Sequence, residues 1–218
     1  MGTIMAEYKH NFVNVTVLGR MNPQILTHDW LVKNKIITWR DFVTRDKTKV
    51  RFSTYFNTPP MTQLAYGPLI FTIEESKFVL SDSKAGIEKS KIYRMADKYF
   101  DLLPHTPLTK VGFNVQGILT FKNTKEMRAF DSKYINCGEA LKQMAIGKGE
   151  RISFAVSTKE GKAAYRLTCT KHPEEPKAIL GGNCEFDIKD SAGLLEILSD
   201  SVKYVKELGQ QQREIAKI

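Results

Sequence analysis

The chain lacks most of what would announce a familiar enzyme or a membrane span. Its three cysteines, Cys137, Cys169 and Cys184, are an odd number with no C-x-x-C pair among 218 residues. That argues against a disulfide scaffold and suits a reducing compartment. No apolar run approaches the ~18 residues that a bilayer span requires. Glu7, Lys9 and His10 break up the first apolar stretch before it forms a signal-peptide core. A cytoplasmic protein that does not enter the membrane is the expectation. No glycine-rich phosphate loop leads into a helix, because Gly147-x-Gly149 precedes a strand pattern, and there is no G-x-S-x-G elbow. Nucleotide-using enzymes of a familiar type are disfavoured, and neither a cofactor nor a resident metal is expected.

Positive charge is what the chain has in excess. Thirty-three Lys and Arg against 24 Asp and Glu leave +9, while 42% apolar residues suffice for a sizeable core. The excess is concentrated early. Lys33, Lys35, Arg40, Arg45, Lys47, Lys49 and Arg51 face only Asp41 and Asp46, a local +5, with Trp39, Phe42 and Phe52 interleaved. Bases beside aromatic rings are what phosphate contact combined with base stacking requires. The same lysines on a strand edge would also serve simply to keep sheets from associating.

Hydrophobic periodicity supplies the elements. Val13, Val15 and Val17 alternate with Phe12, Asn14 and Thr16, which predicts a strand to Leu18 with its valines inward. Ile25, Leu26, Trp30 and Leu31 predict a short helix ending near Asn34. Strands are expected at 36–39 and 49–56, then a hairpin from 69–73 and 77–80 around Glu74-Glu75-Ser76. Ile92, Met95, Ala96, Tyr99, Leu102 and Leu103 recur at helical spacing over 88–103, and Pro104 ends that helix. The second hundred residues follow the same plan. Asn and Val recur at 14/15 and 114/115, and Arg and Ser at 51/151 and 53/153. Helical material is expected over 124–144, strands over 151–154, 164–169 and 179–188, and a closing helix carries Leu194, Leu195, Leu198, Val202, Val205 and Leu208. The expected fold is therefore α+β: two pseudo-repeated β-α-β(n)-α halves, 1–110 and 111–218, packed as one unit. They form one continuous antiparallel sheet with two long helices on one face.

That element order, given twice, resembles the saddle of the TATA-binding protein fold. The local match is Leu69-Ile70-Phe71, a turn, Lys77-Phe78-Val79-Leu80, then a helix with Lys91, Ala96 and Tyr99. The resemblance implies DNA binding on the sheet, with Phe71 and Phe52 as the pair that wedges between base steps. Separately, Asn22-Pro23-x-Ile25-Leu26 with Trp30-Leu31, and Leu103-Pro104-His105-Thr106-Pro107 with Gly112-x-Asn114, resemble a group of bacterial and phage proteins to which no activity is assigned.

Three further strings carry possible chemistry. Pro104 and Pro107 stiffen His105 and Thr106, which suits a structural connection more than a catalytic base. Cys169-x-x-His172 with Cys184 offers three zinc ligands where a structural site takes four, and buried free cysteines explain the same residues. Glu75-Ser76-Lys77 and Glu160-Gly161-Lys162 are similar to the carboxylate and lysine of metal-dependent nucleases but lack the Asp that would share the metal. Exposed turn charges are the plainer reading. The expected functions, in order, are a non-enzymatic binding module for nucleic acid or an acidic protein surface, an interaction subunit of a phage-related or defence assembly, and a metal-dependent nuclease. The expected nucleic-acid-binding residues are Lys33, Lys35, Trp39, Arg40, Arg45, Lys47, Lys49, Arg51, Phe52 and Phe71.

Overall fold

The computed structural model describes residues 6–38, 52–84, 89–134, 153–160, 162–171 and 175–216. Its first strand, β1 (Ala6–Gly19), begins earlier than the alternation predicts. A bulge between His10 and Phe12 causes this: it shifts the phase by one residue, so Tyr8 and His10 before it face the same side as Val13, Val15 and Val17 after it. A 3-10 turn (Pro23–Ile25) and helix α1 (His28–Lys33) follow, capped by Asn22 and Thr27, whose side chains accept from Gln24 N and Trp30 N. The strand expected at 36–39 is absent over its described part. Lys35 takes a left-handed φ of 55°, and Ile36 and Ile37 turn back into the core.

Strands β2 (Phe52–Thr58), β3 (Met61–Tyr66), β4 (Leu69–Glu74) and β5 (Lys77–Asp82) then form a meander. The expected hairpin is β4–β5, in register from Leu69–Asp82 to Glu74–Lys77. Strand β3 is an addition. Pro59 and Pro60, which read as an interruption, instead form the turn that sends the chain back along β2. Helix α2 (Ile92–Asp101) occupies the middle of the expected 88–103 span.

The second half runs β6 (Leu108–Phe121), α3 (Thr124–Tyr134), β7 (Ser153–Glu160), β8 (Ala163–Lys171) and β9 (Lys177–Asp187). The single closing helix is in fact two, α4 (Ser191–Ser199) and α5 (Ser201–Ala216), broken at Asp200. The break resets the helical phase. Leu194, Leu198, Val205 and Leu208 are buried, but Val202 is 40% exposed.

Among the described residues the strands form one antiparallel nine-stranded sheet in the order β2-β3-β4-β5-β1-β6-β9-β8-β7. The halves join where β1 and β6 pair, from Ala6–Phe121 to Gly19–Leu108. Every described helix lies on one face. Ile92, Met95, Tyr99 and Phe100 of α2, Leu194 and Leu198 of α4, and Val205 and Leu208 of α5 share a core with the inward residues of β1, β4, β5, β6 and β9. Met127 and Phe130 of α3 cover Leu119, Phe121, Cys169 and Leu180 in a second cluster on the same side. Each such side chain contributes about 1.5–3 kcal/mol on burial. The helices need this cover because their apolar stripes have no other surface of comparable size to meet. No described helix is long and apolar enough to cross a membrane.

Candidate functional site

Among the described residues the helices cover one face of the sheet only, and strand alternation decides what stands on the other. The residues facing out from the three adjacent strands β1, β6 and β9 include Phe12, Asn14 and Thr16 on β1, Asn114, Gln116 and Ile118 on β6, and Ile179, Gly181, Asn183 and Glu185 on β9. Together with Ala164, Arg166, Thr168 and Thr170 of β8, most of them line a concavity of about 1070 Å³. Its centre is uncharged and rich in hydrogen-bonding groups.

The register places three asparagines side by side: Asn14 opposite Asn114, and Asn114 opposite Asn183. Their amides form a ladder. Asn183 Nδ2 donates to Asn114 Oδ1 at 2.9 Å, and Asn114 Nδ2 donates to Asn14 Oδ1 at 2.7 Å. Thr16 Oγ1 donates to the same Asn14 oxygen at 3.3 Å. Arg166 stands opposite Asn183 on β8 and is exposed. Charges gather at the rim, where Lys110 Nζ lies 3.2 Å from Glu185 and 3.3 Å from Asp187. Those two carboxylates hold the Lys110 ammonium above its ordinary range. Such a surface offers donors, acceptors and flat apolar patches to a ligand.

Of the residues expected from the sequence, Lys33, Lys35 and Phe71 do not stand on this face. Lys33 and Lys35 are exposed, yet they belong to the helical layer: the Lys35 carbonyl accepts from Lys98 Nζ of α2 at 3.0 Å. Trp39, Arg40, Arg45, Lys47, Lys49 and Arg51 lie outside the described residues. Phe52 starts the edge strand β2, with its backbone opposite Tyr66. Phe71 is corrected outright: it is 0% exposed, on the helix-covered side between Leu64 and Leu80 in the register, so it has no access to a ligand on the open face. The alternation of β4 puts Ile70 and Thr72 outward instead. Asn183, Arg166, Gln116 and Thr16 were not singled out. Asn14 and Asn114 were visible only as a recurrence at an interval of 100, and the cross-strand register needed to join them is not written in any local window.

The remaining candidates resolve structurally. His105 is exposed in the connection between α2 and β6. Glu75 and Ser76 form the β4–β5 turn, and their carbonyls accept from Met21 N and Gly19 N. Cys169 pairs with Leu180 and Cys184 with Tyr165 along the same two strands. An offset of four residues sets the two thiols about 13 Å apart, too far to share a metal. Among the described residues no cluster of three His, Cys, Asp or Glu could hold an ion. Burial pushes the Cys184 thiol up to about 12, with the Tyr165 hydroxyl opposing and Glu207 and Glu185 adding to the rise. A thiol held neutral in this way is no nucleophile. No protein-family model matches the chain, and no curated protein sequence matches it either.

Proposed function

We propose that the protein is a non-enzymatic binding module that holds nucleic acid on the open face of its sheet. The observation that carries this reading is the amide ladder at the centre of a broad concavity lined by strand residues, in a chain of net charge +9. Amide groups pair with base edges, and the uncharged centre suits bases, while phosphates require cations around them. Arg166 and Lys9 supply those on the strands, whereas Lys110 and Lys177 are paired with Glu185, Asp187 and Glu175. The resemblance to the TATA-binding protein saddle supports the same use of the sheet, without the Phe71 wedge.

Fluorescence anisotropy with labelled DNA and RNA, single- and double-stranded, at about 50 mM and about 200 mM salt tests the proposal. Affinity should fall steeply with salt. Asn114→Ala should weaken binding about tenfold, the worth of 1.4 kcal/mol in base-edge contacts, without shifting the salt slope. No binding at the lower salt, or binding that Asn114→Ala leaves unchanged, overturns it. The assembly-subunit reading rests on a separate feature, Phe56, which is 45% exposed on the open side of edge strand β2.

A further inference from the structure

We propose that the ligand of the open face is a single strand, whose unpaired bases turn into the concavity and stack on Phe12. The inference rests on the nucleic-acid reading above and narrows it to one class of substrate. Shape is the first ground. The base edges of a duplex lie at the bottom of grooves about 7.5–8.5 Å deep, which a helix or β-ribbon reads by standing out from its protein. Here the amides do the opposite. Asn14, Asn114 and Asn183 are half-buried on a concave floor built from the strands themselves, and an asparagine carries its amide on a single methylene. A duplex resting on the rim holds its base edges out of their reach. An unpaired base, turned away from its own backbone, comes down to them.

The chemistry of the floor agrees. After donating to Asn14 and accepting from Asn183, Asn114 keeps one N–H and one lone pair. The Watson–Crick edge of a base asks for such a donor and acceptor side by side, and in a duplex the partner base already occupies that edge. Two residues along the strands, the next outward row runs Phe12, Gln116, Gly181 and Thr168. Phe12 is half-buried, lines the concavity and belongs to neither hydrophobic cluster under the helices. Its ring suits the flat face of a base, and a duplex leaves such faces free at its ends alone. Charge points the same way. Among the described side chains the unpaired cations of these strands are Lys9 and Arg166, because Lys77, Lys110 and Lys177 hold carboxylates. A duplex presents a phosphate about every 1.7 Å along its axis and a single strand about half as many, so two cations neutralise a larger share of the single strand.

Four probes of one mixed sequence, about 12 nucleotides long, test this in fluorescence anisotropy: the DNA strand, the RNA strand, the DNA duplex, and the DNA strand with abasic sites at its central positions. The abasic probe keeps every phosphate and removes the bases. Whichever sugar is preferred, the intact single strand should bind at least about tenfold more tightly than the duplex, at about 50 mM and at about 200 mM salt alike. Loss of the central bases should cost the DNA strand about tenfold. Phe12→Leu keeps an apolar side chain and should melt near the native temperature. It should weaken single-strand binding about tenfold and leave duplex binding unchanged. A duplex bound as tightly as the single strand, or a single strand indifferent to the loss of its central bases or of the Phe12 ring, overturns the inference and leaves the function standing. Absence of any binding removes both.

Discussion

Two rows of residues, one position apart, cross the same six strands. Phe71, Leu80, Val15, Phe113, Cys184 and Tyr165 make one; Ile70, Ser81, Asn14, Asn114, Asn183 and Arg166 make the other. In the first, Phe113 is fully buried and packs its ring against Tyr93, Phe186 and Tyr204. In the second, Asn114 is half-buried and spends its side chain on two other asparagines. The backbone and its hydrogen bonds are shared, so they do not explain the difference. One row holds the helices to the sheet; the other faces away from the described helices and contributes less to the fold.

Substitutions that cross between the rows sharpen this contrast. Phe113→Ala should cost the most, about 3–5 kcal/mol in denaturant unfolding, because three rings lose their packing partner. A loss no larger than that of Asn114→Ala would erase the distinction between the faces. Gly117→Ala comes next. It lies on the covered side, where an added methyl would sit 2.3 Å from the Tyr8 ring. Moving that ring breaks the 2.6 Å bond from the Tyr8 hydroxyl to Gln212 Oε1, and the expected loss is about 1–3 kcal/mol, read from the same melts. Asn114→Ala should destabilise by only about 1 kcal/mol, since its hydrogen bonds are replaced in part by water. Its larger effect should be on nucleic-acid affinity.

The smallest effect is a pH dependence on the covered side. His10 lies with Nδ1 3.2 Å from the Gln116 carbonyl and Nε2 3.3 Å from the Tyr8 hydroxyl. Burial lowers its pKa below the ordinary 6.5. The hydrogen bond to the Gln116 carbonyl opposes this, and the Arg213 charge adds to it. The unfolded chain then takes up the proton more readily than the folded one. Stability is full above pH 6.5 and declines as the pH falls through that value towards the depressed folded pKa. Melting temperatures from pH 7.5 down to about 5.5 should fall more steeply in the native chain than in His10→Gln. Parallel profiles would remove His10 from the account.

Much of the fold was legible because it depends on local periodicity. The valines of β1, the stripe of α2 and the β4–β5 turn each carry their signal within about a dozen residues. Failures came where a local pattern was reset. The bulge near Asn11 hid the first part of β1, Asp200 divided a stripe that looked continuous, and a Pro-Pro pair read as a gap was the turn into β3. For the site, the basic stretch drew attention through its charge density, a property any window reveals. The asparagine ladder escaped notice because its members are 100 and 69 positions apart along the chain.

The sequence alone determined that the protein is α+β with one antiparallel sheet, and that Val13, Val15 and Val17 turn inward while Asn14 and Thr16 turn out. Alternation along a strand is a geometric property of the extended backbone and needs no partner to be read. Only the tertiary structure decided which outward residues stand together, that Phe71 lies beneath the helices, and that Lys33 and Lys35 sit with the helices. Those outcomes depend on strand register and on which face the helices cover. Both are set by the packing of segments far apart in the chain, through contacts that no single stretch of it contains.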